Sequence, residues 1–210
     1  MFYGIIIVNQ NIFSNSFPKT ILVNNQEKTC IIEILSDSFD NNKSVNYIIK
    51  QDNKRRMRVK ALMSYSVDIC DMFGDVFLSE DRNACALIIY PDKVKTSLKS
   101  IWLDVKLAFT SLGIVNIMKA MKRESAIKKN HPAEQLAYLW FIGVRSYEQN
   151  NGAGTKLLQE IIIEAKKEDR TICLETSTER NIPWYHKHGF TIYKVLDFGY
   201  KLYCMKREPQ

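Results

Sequence analysis

The chain has 210 residues, of which 46% are hydrophobic, and a formal net charge of +7 at pH 7. This length and apolar content are sufficient to bury one full hydrophobic core, either in a single domain or in a domain with an appended subdomain. The five cysteines, Cys30, Cys70, Cys85, Cys173 and Cys204, form no Cys-x-x-Cys pair and no cluster with histidine. This scatter argues against a zinc site and indicates reduced thiols in a cytoplasmic protein.

The N-terminus begins with an apolar run over residues 1–8 that has no basic flanking residues and breaks at Asn9. Such a run is neither a typical signal peptide nor long enough for a membrane span, and we expect no membrane partner. Residues 1–18 are interpreted as an extension that is either disordered or forms an extra strand. Residues 19–210 are predicted to form a single domain.

The first 130 residues are predicted to alternate between helices and strands. Helices are placed where apolar residues recur every three or four positions, and strands where short apolar runs end at turn residues. In chain order, the predicted elements are a short strand at 20–23, helices at 28–39 and about 59–74, an antiparallel pair of strands at 75–78 and 84–90, and helices at 97–112 and 115–129. The last two helices are separated by Gly113, placed as a C-cap, and the second ends before Pro132.

The second half of the chain is predicted to form a layer of strands and helices. A central strand is followed by a helix with a buried apolar stripe, and the last two strands pair antiparallel around a turn at 197–199. The predicted elements are strands at 136–144, 171–174, 190–196 and 199–205, a helix containing Leu157, Leu158, Ile161, Ile162 and Ala165, and a short helix at 182–187. Together the two halves predict one α+β domain with a mixed sheet.

A small-residue loop follows the predicted central strand and opens directly into the amphipathic helix. Its glycines, Gly152 and Gly154, let the backbone turn sharply and approach a ligand, while the first amides of the helix offer unpaired donors. This pattern predicts a phosphate-bearing cofactor. A dinucleotide loop is disfavoured because Leu157 stands where its third glycine belongs. A nucleoside-triphosphate loop is disfavoured because Thr155 precedes Lys156, the reverse of the required order.

The pattern Gln149-x-x-Gly152-x-Gly154 after a strand resembles the pyrophosphate loop of the GNAT superfamily of acetyl-coenzyme A-dependent N-acetyltransferases. Alone, the two glycines fit a tight strand-to-helix turn equally well. A second observation is therefore needed to separate the two interpretations.

The second observation lies downstream, where Asn181 is followed by Tyr185 and then by Gly189 and Phe190. This order looks like the second GNAT signature. In isolation Tyr185 would be interpreted as a core tyrosine and Gly189 as a helix C-cap. The correct order and separation of both motifs favour the family resemblance, which covers roughly residues 134–207.

The resemblance implies a GNAT-like acyl-CoA N-acyltransferase fold of the α+β class, with α/β/α layers around a central mixed, mostly antiparallel sheet. The helical pair at about 95–130 then becomes an insertion before the fourth core strand, either walling a substrate cleft or serving as an extra packing element. The resemblance further implies acetyl-CoA as co-substrate, with no metal, and a fourth and a fifth strand that splay apart at the reaction centre.

Tyr185 and Glu175 are the candidate catalytic residues. By the resemblance, Tyr185 holds the position of the general acid that protonates the leaving thiolate. Acetyl transfer also needs a base to neutralise the amine, and the strand at 136–144 contains no acid. Glu175, at the end of the next strand, is therefore the candidate base, directly or through water, unless it is a solvated strand-end residue. His131, His186 and His188 are alternative candidate bases, but each is interpreted in preference as a polar surface residue.

The cofactor contacts follow from the resemblance alone. Backbone amides of the fourth strand, residues 141–144, would stabilise the oxyanion, the loop amides would bind the pyrophosphate, and Asn181 would contact the pantetheine arm. The implied cofactor-binding residues are Ile142, Gly143, Val144, Gln149, Asn150, Asn151, Gly152, Ala153, Gly154, Thr155, Asn181 and Tyr185.

The predicted function is transfer of an acetyl group from acetyl-CoA to a primary amine by direct attack in a ternary complex. The acceptor is an unidentified small molecule or protein, and a homodimer is left open. The alternative is a non-catalytic, basic nucleic-acid- or protein-binding module that retains the fold, because residues 51–60 and 91–130 hold most of the basic excess. Nucleic acid is the less favoured partner, since basic side chains also populate the solvated faces of helices.

Overall fold

The computed structural model describes residues 19–20, 24–132 and 135–209. The extension at 1–18 and residues 21–23 of the predicted first strand lie outside these ranges. The described strands are β1 (Lys19–Thr20), β2 (Gly74–Leu78), β3 (Ala84–Ile89), β4 (Leu136–Val144), β5 (Thr171–Thr176), β6 (Thr191–Asp197) and β7 (Lys201–Arg207). The described helices are α1 (Asn25–Ser38), α2 (Lys43–Ile48), α3 (Arg55–Phe73), α4 (Leu98–Leu107), α5 (Ile114–Lys129), α6 (Ala153–Lys167) and α7 (Ile182–Lys187).

The strands form one sheet in the order β1-β2-β3-β4-β5-β7-β6. Only β4 and β5 pair in parallel, and each of the other neighbouring pairs is antiparallel. A parallel pair needs a crossover connection, which α6 provides between β4 and β5. The predicted hairpins β2–β3 and β6–β7 are confirmed, as is the α+β class with a mixed, mostly antiparallel sheet.

The sheet separates two layers of helices, because side chains alternate between its faces along each strand. On one face, Ile172 and Leu174 of β5 pack with Leu157, Leu158 and Tyr185 from α6 and α7. On the other face, buried residues of α1 and α3 pack against β2, β3 and the middle of β4. The α/β/α layering implied by the resemblance is therefore confirmed.

Most predicted helices are confirmed, with shifted ends. Helix α1 begins earlier than predicted, because the side chain of Asn24 caps it by accepting hydrogen bonds from the amides of Gln26 and Glu27. Helix α2 was not predicted, since six residues are too few for a periodic apolar pattern. Its N-terminus does carry a local signal, because the Asn42 side chain accepts a hydrogen bond from the Val45 amide.

The insertion between β3 and β4 is a pair of helices that meet at a sharp bend. Helix α4 continues into a π-helical turn over Ala108–Leu112, and Gly113 then reverses the chain with a φ of +71°. No single helix in the described residues is long and apolar enough to cross a membrane. The segments Leu98–Leu112 and Ile114–Lys129 satisfy length and composition only as a pair, and they are bent by 117°.

The apolar stripe that predicts the first of these helices does not enter the core. In α4 only Ser100 and Leu103 are buried, so the helix rests on α3 along a narrow inner strip. We call the solvent-facing side of the pair the outer apolar face. Its exposed residues are Leu98, Ile101, Trp102, Val105, Phe109, Ile114, Val115, Met118 and Met121.

Candidate active site

Strands β4 and β5 diverge in the middle of the sheet. They are paired only at Leu136–Thr171, Ala137–Ile172 and Tyr138–Cys173. Beyond that point β4 continues to Val144, while β5 pairs only with β7. The splay expected between the fourth and fifth strands is thus present, and it leaves the β5-facing edge of β4 without a strand partner in the described chain.

A bulge in β4 lies beside this splay. Leu87 of β3 is opposite Phe141, whereas the next residue, Ile88, is opposite Leu139, so Trp140 is the extra residue. The bulge therefore lies directly before residues 141–144, whose amides are predicted to stabilise the oxyanion. It turns the end of β4, including Ile142 and Val144, relative to the first half of the strand.

Gly143 is required in β4 by close packing rather than by backbone conformation. A Cβ there would lie 3.0 Å from Leu35 Cδ2 and 3.0 Å from Ser38 Oγ of α1. The Ser38 hydroxyl also donates a hydrogen bond of 3.1 Å to the Val144 carbonyl. Helix α1 thereby holds the end of β4 next to the loop that precedes α6.

This loop has the geometry expected of an anion cradle. Asn150 and Gly152 both adopt left-handed backbone conformations, with φ of +69° and +85°. The first hydrogen bond of α6 runs from the Lys156 amide to the Gly152 carbonyl, at 2.9 Å. The amides at 153–155 therefore precede the hydrogen-bonded part of the helix and point from its positive end. Gln149 donates back to the Val144 carbonyl at 3.3 Å, which closes the loop.

Helices α6 and α7 are joined next to this loop. The indole Nε1 of Trp184 donates a hydrogen bond of 3.1 Å to Thr155 Oγ1. A Cβ on Gly154 would lie 3.4 Å from Val144 and 3.9 Å from Trp184, so this glycine sits where β4, α6 and α7 meet. Asn181 ends the 3-10 turn that leads into α7. The structure thus brings the predicted cofactor residues of the loop and α7 to the same end of the molecule.

Tyr185 is buried in α7, with its ring 4.7 Å from that of Trp184 and 5.6 Å from that of Phe190. Its hydroxyl has no hydrogen-bond partner among the described residues. Burial raises the pKa of this phenol above its usual value. Tyr185 therefore stays protonated near neutral pH, as a proton donor must.

Glu175 lies on the opposite face of β5. Its side chain is only 2% exposed, so it is not a solvated strand-end residue. The Tyr138 hydroxyl donates a hydrogen bond to Glu175 Oε2 across the splay. The other carboxylate oxygen, Oε1, lies 3.8 Å from His131 Nε2. Both of these atoms are buried without a hydrogen-bond partner in the described part of the chain.

His131 is the clearest residue that sequence analysis misinterpreted. It was assigned to the polar surface, yet its side chain is 13% exposed and its ring is 5.3 Å from that of Tyr138. The position of His131 just before Pro132 gave no hint of this contact, because the contact joins the end of α5 to β4 and β5. By contrast, His186 and His188 contact the carbonyls of Phe190 and Trp184 at 2.8 Å, which are local structural bonds.

Arg123 of α5 completes the surroundings of Glu175. Its guanidinium donates to Ser44 Oγ at 2.6 Å and to the Tyr200 hydroxyl at 3.2 Å. Burial by itself would lower the pKa of Arg123. Interactions with Tyr138, Tyr200 and Glu175 stabilise its positive charge by more than burial destabilises it, so the pKa is raised. Arg123 therefore joins α5 to α2 and to the turn between β6 and β7.

Residues 113–192 match the family model described as the acetyltransferase (GNAT) domain. The matched segment contains the loop, Glu175 and the Asn181–Tyr185 motif, which is the region where the splay and the cradle meet. Residues 113–192 of this chain are thus identified as a GNAT acetyltransferase domain. The resemblance of the two motifs within this segment is confirmed.

Solved structures extend the likeness in fold to nearly the whole length of this chain. A histone acetyltransferase HPA2 and related acetyltransferase from Corynebacterium glutamicum has 18% identity and a TM-score of 0.64, covering 89% of this chain and 93% of that one. The C-terminal condensation domain of Ebony in complex with beta-alanyl-dopamine has 10% identity and a TM-score of 0.64, covering 87% of this chain and 94% of that one. A putative GNAT acetyltransferase from Desulfovibrio desulfuricans has 14% identity and a TM-score of 0.51, covering 90% and 96%. At these identities the likeness shows the GNAT fold.

Three of the five bases in the run at 54–60 pair with acids of the same chain. Arg55 pairs with Asp40 at 2.8 Å, Arg56 with Asp37 at 3.0 Å and Arg58 with Asp52 at 2.6 Å. The Arg58 hydrogen bond keeps the pKa of Asp52 below its usual value, so this pair stays charged. Charges that are already paired add little to phosphate binding, so this run gives little support to a nucleic-acid-binding module.

Proposed function

We propose that the protein transfers an acetyl group from acetyl-CoA to a primary amine in a ternary complex. The observation that carries this proposal is the placement of Tyr185 and Glu175 on opposite faces of β5, beside the splay between β4 and β5. A thioester entering from the α6–α7 face and an amine entering from the α5 face would then meet at the splay. The amide-lined loop supports coenzyme A as the donor, because its pyrophosphate carries the charge that such a loop binds.

Glu175 is proposed to accept the proton of the attacking ammonium group. A primary amine has a pKa of about 10.4, so it must lose a proton before it can attack the thioester carbonyl. Glu175 Oε2 already accepts from Tyr138, which leaves Oε1 as the atom available to the amine. His131 Nε2, 3.8 Å from that atom, would pass the proton outward to solvent.

Tyr185 is proposed to complete the reaction. The nitrogen attacks the carbonyl carbon, and amides of residues 141–144 stabilise the oxyanion as the C–S bond breaks. As the intermediate collapses, the nitrogen releases its second proton to solvent and the proton of the Tyr185 hydroxyl goes to the departing thiolate. The phenolate then recovers a proton from solvent. Asn181 and residues 149–155 hold the pantetheine arm and the pyrophosphate, respectively. The products are the N-acetylated acceptor and free coenzyme A.

The acceptor is proposed to be a primary amine carried by a small molecule or a protein. One buried carboxylate beside Arg123, His131 and Tyr138 suits a single cationic amine, but it does not select among amine classes. All five cysteines are free thiols, which supports a reducing compartment such as the cytoplasm for this activity.

The decisive experiment combines binding and turnover. Calorimetry with acetyl-CoA and with coenzyme A should register saturable binding, and free-thiol release should identify reactive acceptors from a panel of primary amines. Tyr185→Phe should lower kcat by about 100-fold or more while leaving the Kd for acetyl-CoA nearly unchanged. Tyr65→Phe serves as the matched control, since Tyr65 donates to Asp104 outside the site. Absence of binding by folded protein would overturn the proposal, and unchanged kcat would remove Tyr185 from its role.

A further inference from the structure

The outer apolar face is the largest concentration of exposed apolar side chains in the described part of the chain. The described part of the chain has fifteen exposed large hydrophobic residues, and nine of them lie between positions 98 and 121. They include Trp102 at 59%, Phe109 at 70% and Val115 at 82% exposure. Monomeric proteins that remain in water rarely present so many neighbouring apolar side chains, so this face is expected to contact a partner.

The arrangement is amphipathic rather than random. At 3.6 residues per turn, Leu98, Ile101, Trp102 and Val105 fall within a stripe of about 100° on α4. On the inner side, Leu103 and Leu112 are buried against the rest of the molecule. The helix therefore already has a core-facing strip, and its outward stripe is a second apolar surface.

Basic residues without an ion-pair partner in the described part of the chain flank the apolar stripe on both helices, although Lys106 lies 5.0 Å from the Trp102 ring and Lys119 5.8 Å from the Tyr47 ring. Lys99 and Lys106 of α4 and Lys119 and Lys122 of α5 are exposed, and none of them forms an ion pair within the described residues. The nearby acids are engaged, since Asp104 accepts a hydrogen bond from Tyr65 at 2.7 Å and Glu124 pairs with Lys128 at 3.4 Å. The partner must accept apolar side chains and supply negative charge.

The positive charge of these lysines distinguishes three candidate partners, which are a second copy of the chain, residues 1–18 and a lipid surface. A second copy docking about a two-fold axis would bring two surfaces of the same positive charge together, which is unfavourable. Residues 1–18 are apolar enough to cover the face, but they contain no aspartate or glutamate to neutralise the lysines. An anionic lipid surface supplies both requirements, because acyl chains accept Trp102 and Phe109 while head groups neutralise lysine.

We propose that the outer apolar face binds the surface of an anionic lipid bilayer. The 117° bend between the two helical segments makes this contact peripheral, with the helices lying in the head-group region rather than crossing the bilayer. The proposal departs from the sequence-based expectation of no membrane partner, which considered only the apolar run at residues 1–8. It is independent of acetyl transfer, because the contact needs neither Glu175 nor Tyr185.

The test measures sedimentation of the full-length protein with vesicles, without acetyl-CoA. Vesicles of phosphatidylcholine with phosphatidylserine should bind the protein, and vesicles of phosphatidylcholine alone should bind it far more weakly. Replacing Lys99, Lys106 and Lys122 together by Gln should weaken binding by about 100-fold, since each basic residue near an anionic surface contributes about fivefold. The double variant Trp102→Ser/Phe109→Ser should weaken it by at least about tenfold.

Matched controls lie on α6, which packs against the other face of the sheet. Ile163→Ser and Lys166→Gln remove an exposed apolar and an exposed basic side chain there, and both should leave vesicle binding unchanged. Vesicles with brominated acyl chains should quench the fluorescence of the wild type, and the quenching should disappear in Trp102→Phe. That readout locates the contact at α4 and needs no destabilising change.

Three results would overturn the proposal. The first is failure to bind phosphatidylserine vesicles at low salt, or equal binding to both vesicle types. The second is a dimer in lipid-free solution that Trp102→Ser/Phe109→Ser dissociates, which would assign the face to a second copy. The third is protection of Trp102 from acrylamide in the lipid-free monomer, which would mean that part of the same chain, such as residues 1–18, covers it.

Discussion

Glu175 shows how a single residue acquires a chemical role from its neighbours. It shares one carboxylate oxygen with Tyr138 and directs the other toward His131. We predict that Glu175→Gln lowers kcat by at least about 100-fold, because the amide cannot accept the amine proton. The loss should shrink at alkaline pH, where more of the acceptor is already neutral, and kcat measured across pH 7 to 10 checks this.

A second acid, Glu179, provides the control for this prediction. Glu179→Gln changes an exposed acid that accepts from Tyr203 at 2.9 Å, and it should leave kcat unchanged. His131→Gln should lower kcat less than Glu175→Gln, since it removes only the proposed outlet for the proton. If Glu175→Gln retains full activity at pH 7, the amine loses its proton to another group and the proposed base is wrong.

At the scale of elements, the loop between β4 and α6 depends on the left-handed backbone at Gly152. We predict that Gly152→Ala weakens acetyl-CoA binding by about tenfold or more, because strain at a φ of +85° shifts the amides that face the pyrophosphate. The substitution should also lower the free energy of unfolding by about 1 kcal/mol. Calorimetry and urea unfolding measure the two effects separately.

Gly199 provides the control for Gly152, because the two glycines have similar backbone conformations and similar free space around them. It has a φ of +82° in the β6–β7 turn, and in both positions a Cβ would meet no atom within 4 Å. Gly199→Ala should therefore cause a similar loss of stability without any loss of affinity for acetyl-CoA. Equal affinity in both variants would show that the loop conformation is not what binds the cofactor.

At the scale of the whole molecule, Arg170 ties together the ends of β4 and β5. Its side chain, 6% exposed, donates to Asp92 at 2.7 and 3.0 Å and to the Leu136 carbonyl at 3.0 Å. We predict that Arg170→Met lowers the free energy of unfolding by about 2 kcal/mol, or Tm by about 6 °C, because charge-assisted hydrogen bonds to the strand end are lost. Arg56→Met, in an exposed pair with Asp37, should change Tm little.

The contribution of the Arg170–Asp92 pair to the stability of the fold should depend on pH in one direction. Hydrogen bonding to Arg170 lowers the pKa of Asp92, so the pair stabilises the fold fully above the unfolded pKa of about 3.9. This contribution is lost as the pH falls through the lower pKa of the folded state. The difference in Tm between wild type and Arg170→Met should therefore be constant from pH 5 to 7 and narrow in stronger acid. A difference that widens in acid would contradict this account.

The sequence alone determined the features that depend on neighbouring residues. The loop glycines, the Asn181–Tyr185 spacing and the helix and strand periods are local, and they were sufficient to predict the GNAT fold and the insertion before β4. Only the tertiary structure decided which distant side chains meet. It buried Glu175 beside Tyr138, His131 and Arg123, and it turned the stripe containing Trp102 and Phe109 toward solvent. The physical reason is that periodicity defines which residues share a face, whereas the burial of that face depends on elements far away in the chain.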